Sequence, residues 1–151
     1  MRWKSRRRNC WPKSVKKNKT AWYRTIDKLT PGLLDRDLLL MPDMAAQPDP
    51  ILSHGKYPHH NCYWITSDEW DLEVLGGLLM ADTTRRFIDA LGVKMRGGTL
   101  RFQAQYLRLV HMPKYIQISD TNKLGLSRAF NEKDRALATK FAEAAYKEAT
   151  E

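Results

Sequence analysis

Apolar residues fall into short runs in the first half of the chain and into helical spacing further on. Leu38-Leu39-Leu40-Met41 is a continuous apolar run bounded by Asp37 and Pro42, the pattern of a buried strand. Cys62-Tyr63-Trp64-Ile65-Thr66 is a strand by composition. Residues 20–26 (Thr-Ala-Trp-Tyr-Arg-Thr-Ile) predict a further short strand, and Pro31-Gly32 a turn after it. Residues 42–61 hold Pro42, Pro48, Pro50, Gly55 and Pro58 and predict mostly loop.

The period then changes to helical. Thr66-Ser67-Asp68-Glu69 is a capping-box pattern, and Leu72, Leu75, Leu78 and Leu79 follow at helical spacing, predicting a helix over 68–80. Gly76-Gly77 inside it costs roughly 1 kcal/mol per residue relative to alanine, which points to close packing against another element. Asp82 or Thr83 caps a second helix carrying Phe87, Ile88 and Leu91, which Gly92 ends. Gly97-Gly98 predicts a turn, Thr99 to Phe102 a strand, and Ala104–Leu107 a short turn. An extended Arg108–Met112 follows, stopped by Pro113. Leu126, Phe130, Leu137, Phe141 and Ala144/Ala145 place a C-terminal helix over 126–148, with Glu132, Lys133, Lys140 and Glu143 between them. The fold class is α+β: a single mixed domain with short strands, a central helix pair and a C-terminal helix. Three segments follow: a basic arm over 1–19 in which Pro12 breaks any helix, a mixed domain over 20–115, and a helical segment over 116–151.

Composition narrows the class. At 151 residues with 42% hydrophobic content the chain suits one compact core. No run approaches the roughly 18 apolar residues of a membrane span, and the basic N-terminus lacks the apolar stretch of a secretory signal. Cys10 and Cys62 make no disulfide framework, so a cytoplasmic protein is expected.

Charge changes the picture more. The net +9 is segregated: residues 1–28 hold eleven Lys and Arg against Asp27, while residues 29–84 hold nine acids against Arg36 and Lys56. Residues 85–114 return to seven basic side chains against Asp89. Two basic blocks around an acidic one suit a polyanion-binding surface assembled from two parts of the chain. Trp3, Trp11, Trp22 and Tyr23 interleave with the first block, where they can stack on bases or pack the arm on the domain. No sustained amphipathic period there favours a membrane surface.

Catalytic signatures are missing. The sequence has no GxGxxG, no P-loop and no Gly-x-Ser-x-Gly elbow. Pro42-Asp43 and Pro48-Asp49 resemble the opening of a metal-nuclease site, but no lysine stands two positions after an Asp or Glu. His54, His59, His60 and Cys62 lack the paired spacing of a zinc site and read better as a polar loop than as ligands or a histidine nuclease. No metal and no catalytic residue is assigned to this chain.

Residues 20–113 carry a resemblance. Its parts are Ala21-Trp22-Tyr23-Arg24, the run Leu38 to Met44, Asn61 to Thr66, the helix Asp71 to Asp82, and Arg96-Gly97-Gly98-Thr99-Leu100-Arg101-Phe102-Gln103-Ala104-Gln105-Tyr106-Leu107-Arg108. This resembles the C-terminal target-recognition domain of TaqI-like N6-adenine DNA methyltransferases of restriction–modification systems. The resemblance implies contact with double-stranded DNA and choice of sequence. In that family a separate domain binds S-adenosylmethionine and holds the flipped adenine with an Asn-Pro-Pro-Tyr motif. Neither that motif nor Asp-Pro-Pro-Tyr occurs here, so S-adenosylmethionine is expected only in a catalytic partner domain or subunit.

Residue chemistry points the same way. Clustered Lys and Arg gain affinity for a duplex by releasing counterions, and bases are read by fork and amide side chains. The DNA-binding candidates are Arg6, Arg7, Arg8, Lys16 and Lys17 in the arm, and Lys94, Arg96, Arg101, Gln103 and Gln105 in the second block. In a strand, Thr99, Arg101 and Gln103 share a face. A different class of function competes, a protein–protein adaptor docking onto a methyltransferase or nuclease subunit through the acidic block and C-terminal helix.

Overall fold

The computed structural model describes residue 30 and residues 32–58, 61–91, 95 and 97–150. The arm over 1–19 and the expected strand over 20–26 lie outside the described residues. The apolar run becomes β1 (Asp37–Pro42), the centre of an antiparallel sheet in the order β3-β1-β4. β3 is Ile51–His54 and β4 is Cys62–Ile65. Leu39 stands opposite both Leu52 and Ile65, and Leu40 opposite Ile51 and Trp64. The stretch expected as loop therefore contains β3, and also a two-residue β2 (Met44–Ala45). Proline cannot donate to a ladder, and Pro48 and Pro50 are buried ahead of β3 rather than within it, so they bound a strand instead of preventing one.

α1 (Leu72–Met80) starts later than the expected residue 68. Ser67 Oγ accepts from the backbone N–H of Glu69 at 3.1 Å and of Trp70 at 2.9 Å, closing a local turn instead of a capping box. Asp71 then caps the helix, its carboxylate accepting from Glu73 N at 2.8 Å and Val74 N at 3.3 Å. α2 (Asp82–Leu91) follows after the single extended residue Ala81, and β5 is only Leu100–Arg101, shorter than the expected strand. The backbone of Phe102 leaves the ladder to donate to Asp43 O at 2.7 Å. α3 (Ala104–Leu107) is a single helical turn. Residues after it are not extended as expected: Leu109 N donates to Tyr106 O at 2.9 Å and Val110 N to Leu107 O at 3.2 Å, keeping the chain turned.

The expected helix over 126–148 is two helices, α4 (Asp120–Glu132) and α5 (Arg135–Glu148). Lys133 between them has φ 56, a left-handed conformation that stops α4, and Asp134 caps α5 by accepting from Leu137 N at 2.9 Å. The break sets two cations on backbone carbonyls. Lys133 Nζ donates to Pro50 O at 2.8 Å, while Arg135 donates to Met80 O and to Pro48 O, each at 3.1 Å.

Gly76 and Gly77 pack as their positions require. A Cβ on Gly77 would lie 2.5 Å from Leu126 O, and one on Gly76 would lie 2.5 Å from the Phe130 ring. α1 therefore meets α4 backbone to backbone. Leu78, Leu126, Ala138, Ala142 and Ala145 are sealed around that contact, and Leu39, Met41, Ile88, Phe102 and Phe130 form a second apolar cluster under the sheet. Gly32–Glu151 form one compact α+β unit, so the C-terminal helices share a unit with the strands.

Candidate nucleic-acid interface

The β2–β5 ribbon builds a polar row from residues distant in sequence. Met44 pairs with Arg101 and Ala45 with Leu100. Asp43, one residue earlier, is clamped by its backbone: its N–H donates to Asn61 O at 2.9 Å and its carbonyl accepts from Phe102 N. Its side chain then meets Arg101, with Nη2 donating to Oδ2 at 2.7 Å. Asp43 is 16% exposed and Arg101 36%. That hydrogen bond, opposed by burial and aided by the charge of Asp43, raises the Arg101 guanidinium above its ordinary pKa. Among the described residues, Asp43 Oδ1 and Arg101 Nε are buried without a hydrogen-bond partner.

Gln103 continues the row, its amide beside the Arg101 guanidinium. In one orientation of its amide, Oε1 accepts from Gln105 Nε2 at 3.0 Å, which sets the Gln103 nitrogen against the guanidinium, donor facing donor. With the amide turned, Oε1 accepts from Arg101 Nη1 at 3.2 Å and Nη2 at 3.3 Å. Gln105 is exposed, on the helical turn α3. Asp43, Arg101 and Gln103 are thus partly buried, and the row ends at the exposed Gln105.

Of the other candidates, Arg6, Arg7, Arg8, Lys16, Lys17, Lys94 and Arg96 lie outside the described residues. The described part of the second basic block is spread around the row. α2, with Arg85 and Arg86 exposed, packs against β5 and α3, and Arg108 is exposed at the end of that turn. Arg86 Nη1 lies 3.6 Å from Glu143 Oε1. Sequence reasoning missed Asp43 as part of this site. The signal was Pro42-Asp43, weighed only as a nuclease opening; what reveals its role is the ribbon, which joins positions 58 apart in sequence.

The histidine cluster is not assembled by the described residues. His54 Nδ1 lies 2.8 Å from Asp37 Oδ1, and His59 and His60 lie outside them. Among the described residues no group of three His, Cys, Asp or Glu is placed to hold a metal. No helix among them is long and apolar enough to cross a membrane. Beside the polar row, an open cleft of about 490 Å³ is lined by Tyr63, Trp64 and Ile65 of β4, Leu75 and Leu79 of α1, and the 104–112 segment. Trp64 is 44% exposed there.

These features sit in a chain that is homologous to one part of type II methyltransferases. It is 42% identical over 121 residues to the type II methyltransferase M.PaeR7I of Pseudomonas aeruginosa, covering 80% of this chain and 21% of that protein. M.XhoI of Xanthomonas vasicola is 41% identical over 127 residues, 83% of this chain and 23% of that protein. M.BstVI of Geobacillus stearothermophilus is 38% identical over 110 residues, 72% of this chain and 20% of that protein. The chain therefore spans about a fifth of the length of these relatives. No protein-family model matches it.

Proposed function

We propose that this chain is a DNA target-recognition segment of, or acting with, an S-adenosylmethionine-dependent N6-adenine DNA methyltransferase of a restriction–modification system. The observation that carries the reading is the match to about a fifth of type II methyltransferases by a chain without Asn-Pro-Pro-Tyr or a glycine-rich cofactor turn. Methyl transfer needs a cofactor and an adenine pocket. Neither is built from the motifs in this sequence, so the segment's own contribution is binding and sequence choice. S-adenosylmethionine belongs to the catalytic region, which this chain would serve as domain or subunit. Duplex DNA is its partner: Lys and Arg hold phosphate, and the row around Arg101, Gln103 and Gln105 faces the bases.

Enrichment of a random-centre duplex pool by the chain at near-physiological salt tests this, with single-stranded DNA and RNA as competitors. A recovered short duplex motif supports sequence recognition. Binding without a motif, steeply salt-dependent, reduces the role to backbone grip. Absence of duplex binding overturns the proposal.

The apolar cleft beside β4 favours a second reading, an adaptor that docks onto the catalytic subunit. Trp64→Ala that abolishes co-elution with a methyltransferase subunit, in a chain indifferent to DNA, would select it.

A further inference from the structure

We propose that Gln105 is the base-reading side chain of this site, presenting its amide N–H₂ group to a hydrogen-bond acceptor on a base edge. Asp43, Arg101 and Gln103 are then positioning residues that fix the direction of that amide; this rests on the DNA-recognition reading above.

The argument starts at the inner end of the row. A carboxylate only accepts and a guanidinium only donates, so the Asp43–Arg101 bond at 2.7 Å has one possible direction. Arg101 faces Gln103 with donors alone, from Nη1 and Nη2 at 3.2 and 3.3 Å, so Gln103 must turn its oxygen inward. Its nitrogen then faces the Gln105 amide across 3.0 Å. Two amide nitrogens do not share a hydrogen bond, so Gln105 turns its oxygen inward in response, and its nitrogen outward. The row therefore carries a polarity set by the guanidinium, which a mostly buried carboxylate holds in place, and delivered at an exposed amide.

Arg101 itself is committed. One terminal nitrogen is held by Asp43, both face Gln103, and Nε is buried. Its fork is not free to straddle a guanine, which a surface arginine at this position would do. Gln105 is at the exposed end, with two N–H groups and no oxygen to offer. In the major groove guanine presents two adjacent acceptors and no donor, thymine one acceptor beside its methyl group, adenine mixes one acceptor with a donor, and cytosine presents a donor. A donor-only edge rejects cytosine and, with two N–H groups, selects the paired acceptors of guanine over the single one of thymine. A glutamine free to turn either edge outward would instead favour adenine.

Duplex-pool enrichment with the full chain tests this, comparing wild type with Gln105→Glu, Gln105→Ala, Asp43→Ala and Asp43→Asn. Urea unfolding confirms that each is folded. A carboxylate at 105 still accepts from Gln103 but presents an acceptor outward, so Gln105→Glu is expected to move one motif position from guanine to cytosine. Gln105→Ala flattens the same position by about tenfold and leaves the others. Asp43→Ala, which never touches DNA, also degrades that position alone, and Asp43→Asn restores it because its oxygen can still accept from Arg101. Folded variants that keep the wild-type motif, or that lose affinity uniformly across all positions, overturn the assignment. A wild-type chain that enriches no motif overturns the recognition reading itself, and this inference with it.

Discussion

Around α1 the molecule gains contact by omitting side-chain atoms, whereas at the β2–β5 ribbon it gains order by spending polar groups on one another. Gly76 and Gly77 let α4 approach so closely that a single added carbon on Gly77 would sit 2.5 Å from a backbone oxygen. Nothing in that contact has a direction that could be reversed. The row from Asp43 to Gln105 is the opposite case: it is meaningful through which atom donates to which. The first region should therefore respond to volume and the second to hydrogen-bond chemistry, so mutations can pull the two apart.

The largest expected effect is Phe130→Ala. Phe130 is 3% exposed and its ring lies against Gly76, so truncation removes a buried aromatic and opens a cavity between α1 and α4. A loss of about 3–5 kcal/mol in unfolding free energy is expected from urea titration. A smaller cost than Asp43→Ala would mean that the helical contact is not the stability centre of the unit.

Gly77→Ala comes next. Overpacking costs about 1–3 kcal/mol, and the obstacle is the Leu126 backbone, which cannot swing aside as a side chain can. This outweighs the roughly 1 kcal/mol that alanine gains over glycine within a helix. The atoms nearest a Cβ on Gly76 belong to the Phe130 ring, a side chain, and Gly76→Ala is expected to lower the urea midpoint less. Equal midpoints for the two would remove the distinction between backbone and ring contact.

These glycines also show what was legible in the sequence. A Gly-Gly pair inside an apolar helical period has a cost that only close packing offsets, and the packing is there. β1 was legible for a similar reason, since a mostly buried strand leaves a continuous apolar run, and β4 by its aromatic and β-branched composition. The break at Lys133 was not: a lysine in the left-handed conformation carries no local mark, and the apolar period runs through it. Beyond the local Asp134 cap, what holds the break is distant, a carbonyl of Pro50 and the Arg135 bonds to Met80 and Pro48. The candidate site divides in the same way. Arg101, Gln103 and Gln105 stood out by type and spacing within one segment. Asp43 did not, because its meaning depends on a ribbon pairing that no local pattern announces.

Asp43→Ala sharpens the comparison from the polar side. It leaves the Arg101 guanidinium without its carboxylate, but Arg101 is 36% exposed and water can replace part of the bond. The expected cost in unfolding free energy is well below that of Phe130→Ala, against a much larger effect on sequence preference. A cost comparable with Phe130→Ala would show the row to be structural and would dissolve the contrast between the two regions.

The smallest effect asks whether the helical half has a polar tie of its own. Glu148, at the end of α5, accepts from the backbone N–H of Ser119 at 3.0 Å, just before α4. That bond, with further ones from the Asn122 and Ser119 side chains, holds the carboxyl below its ordinary value of 4.5. Because the folded pKa lies below the unfolded one, the stabilisation is complete above the ordinary carboxylate range and is lost as pH falls through the lowered folded value. Glu148→Gln removes the charge at every pH. The two proteins are therefore expected to melt at slightly different temperatures at neutral pH, wild type higher, and to converge in acid. A gap that persists in acid would assign the effect of Glu148 to packing, and would place the helical half wholly on the side of contact without charge.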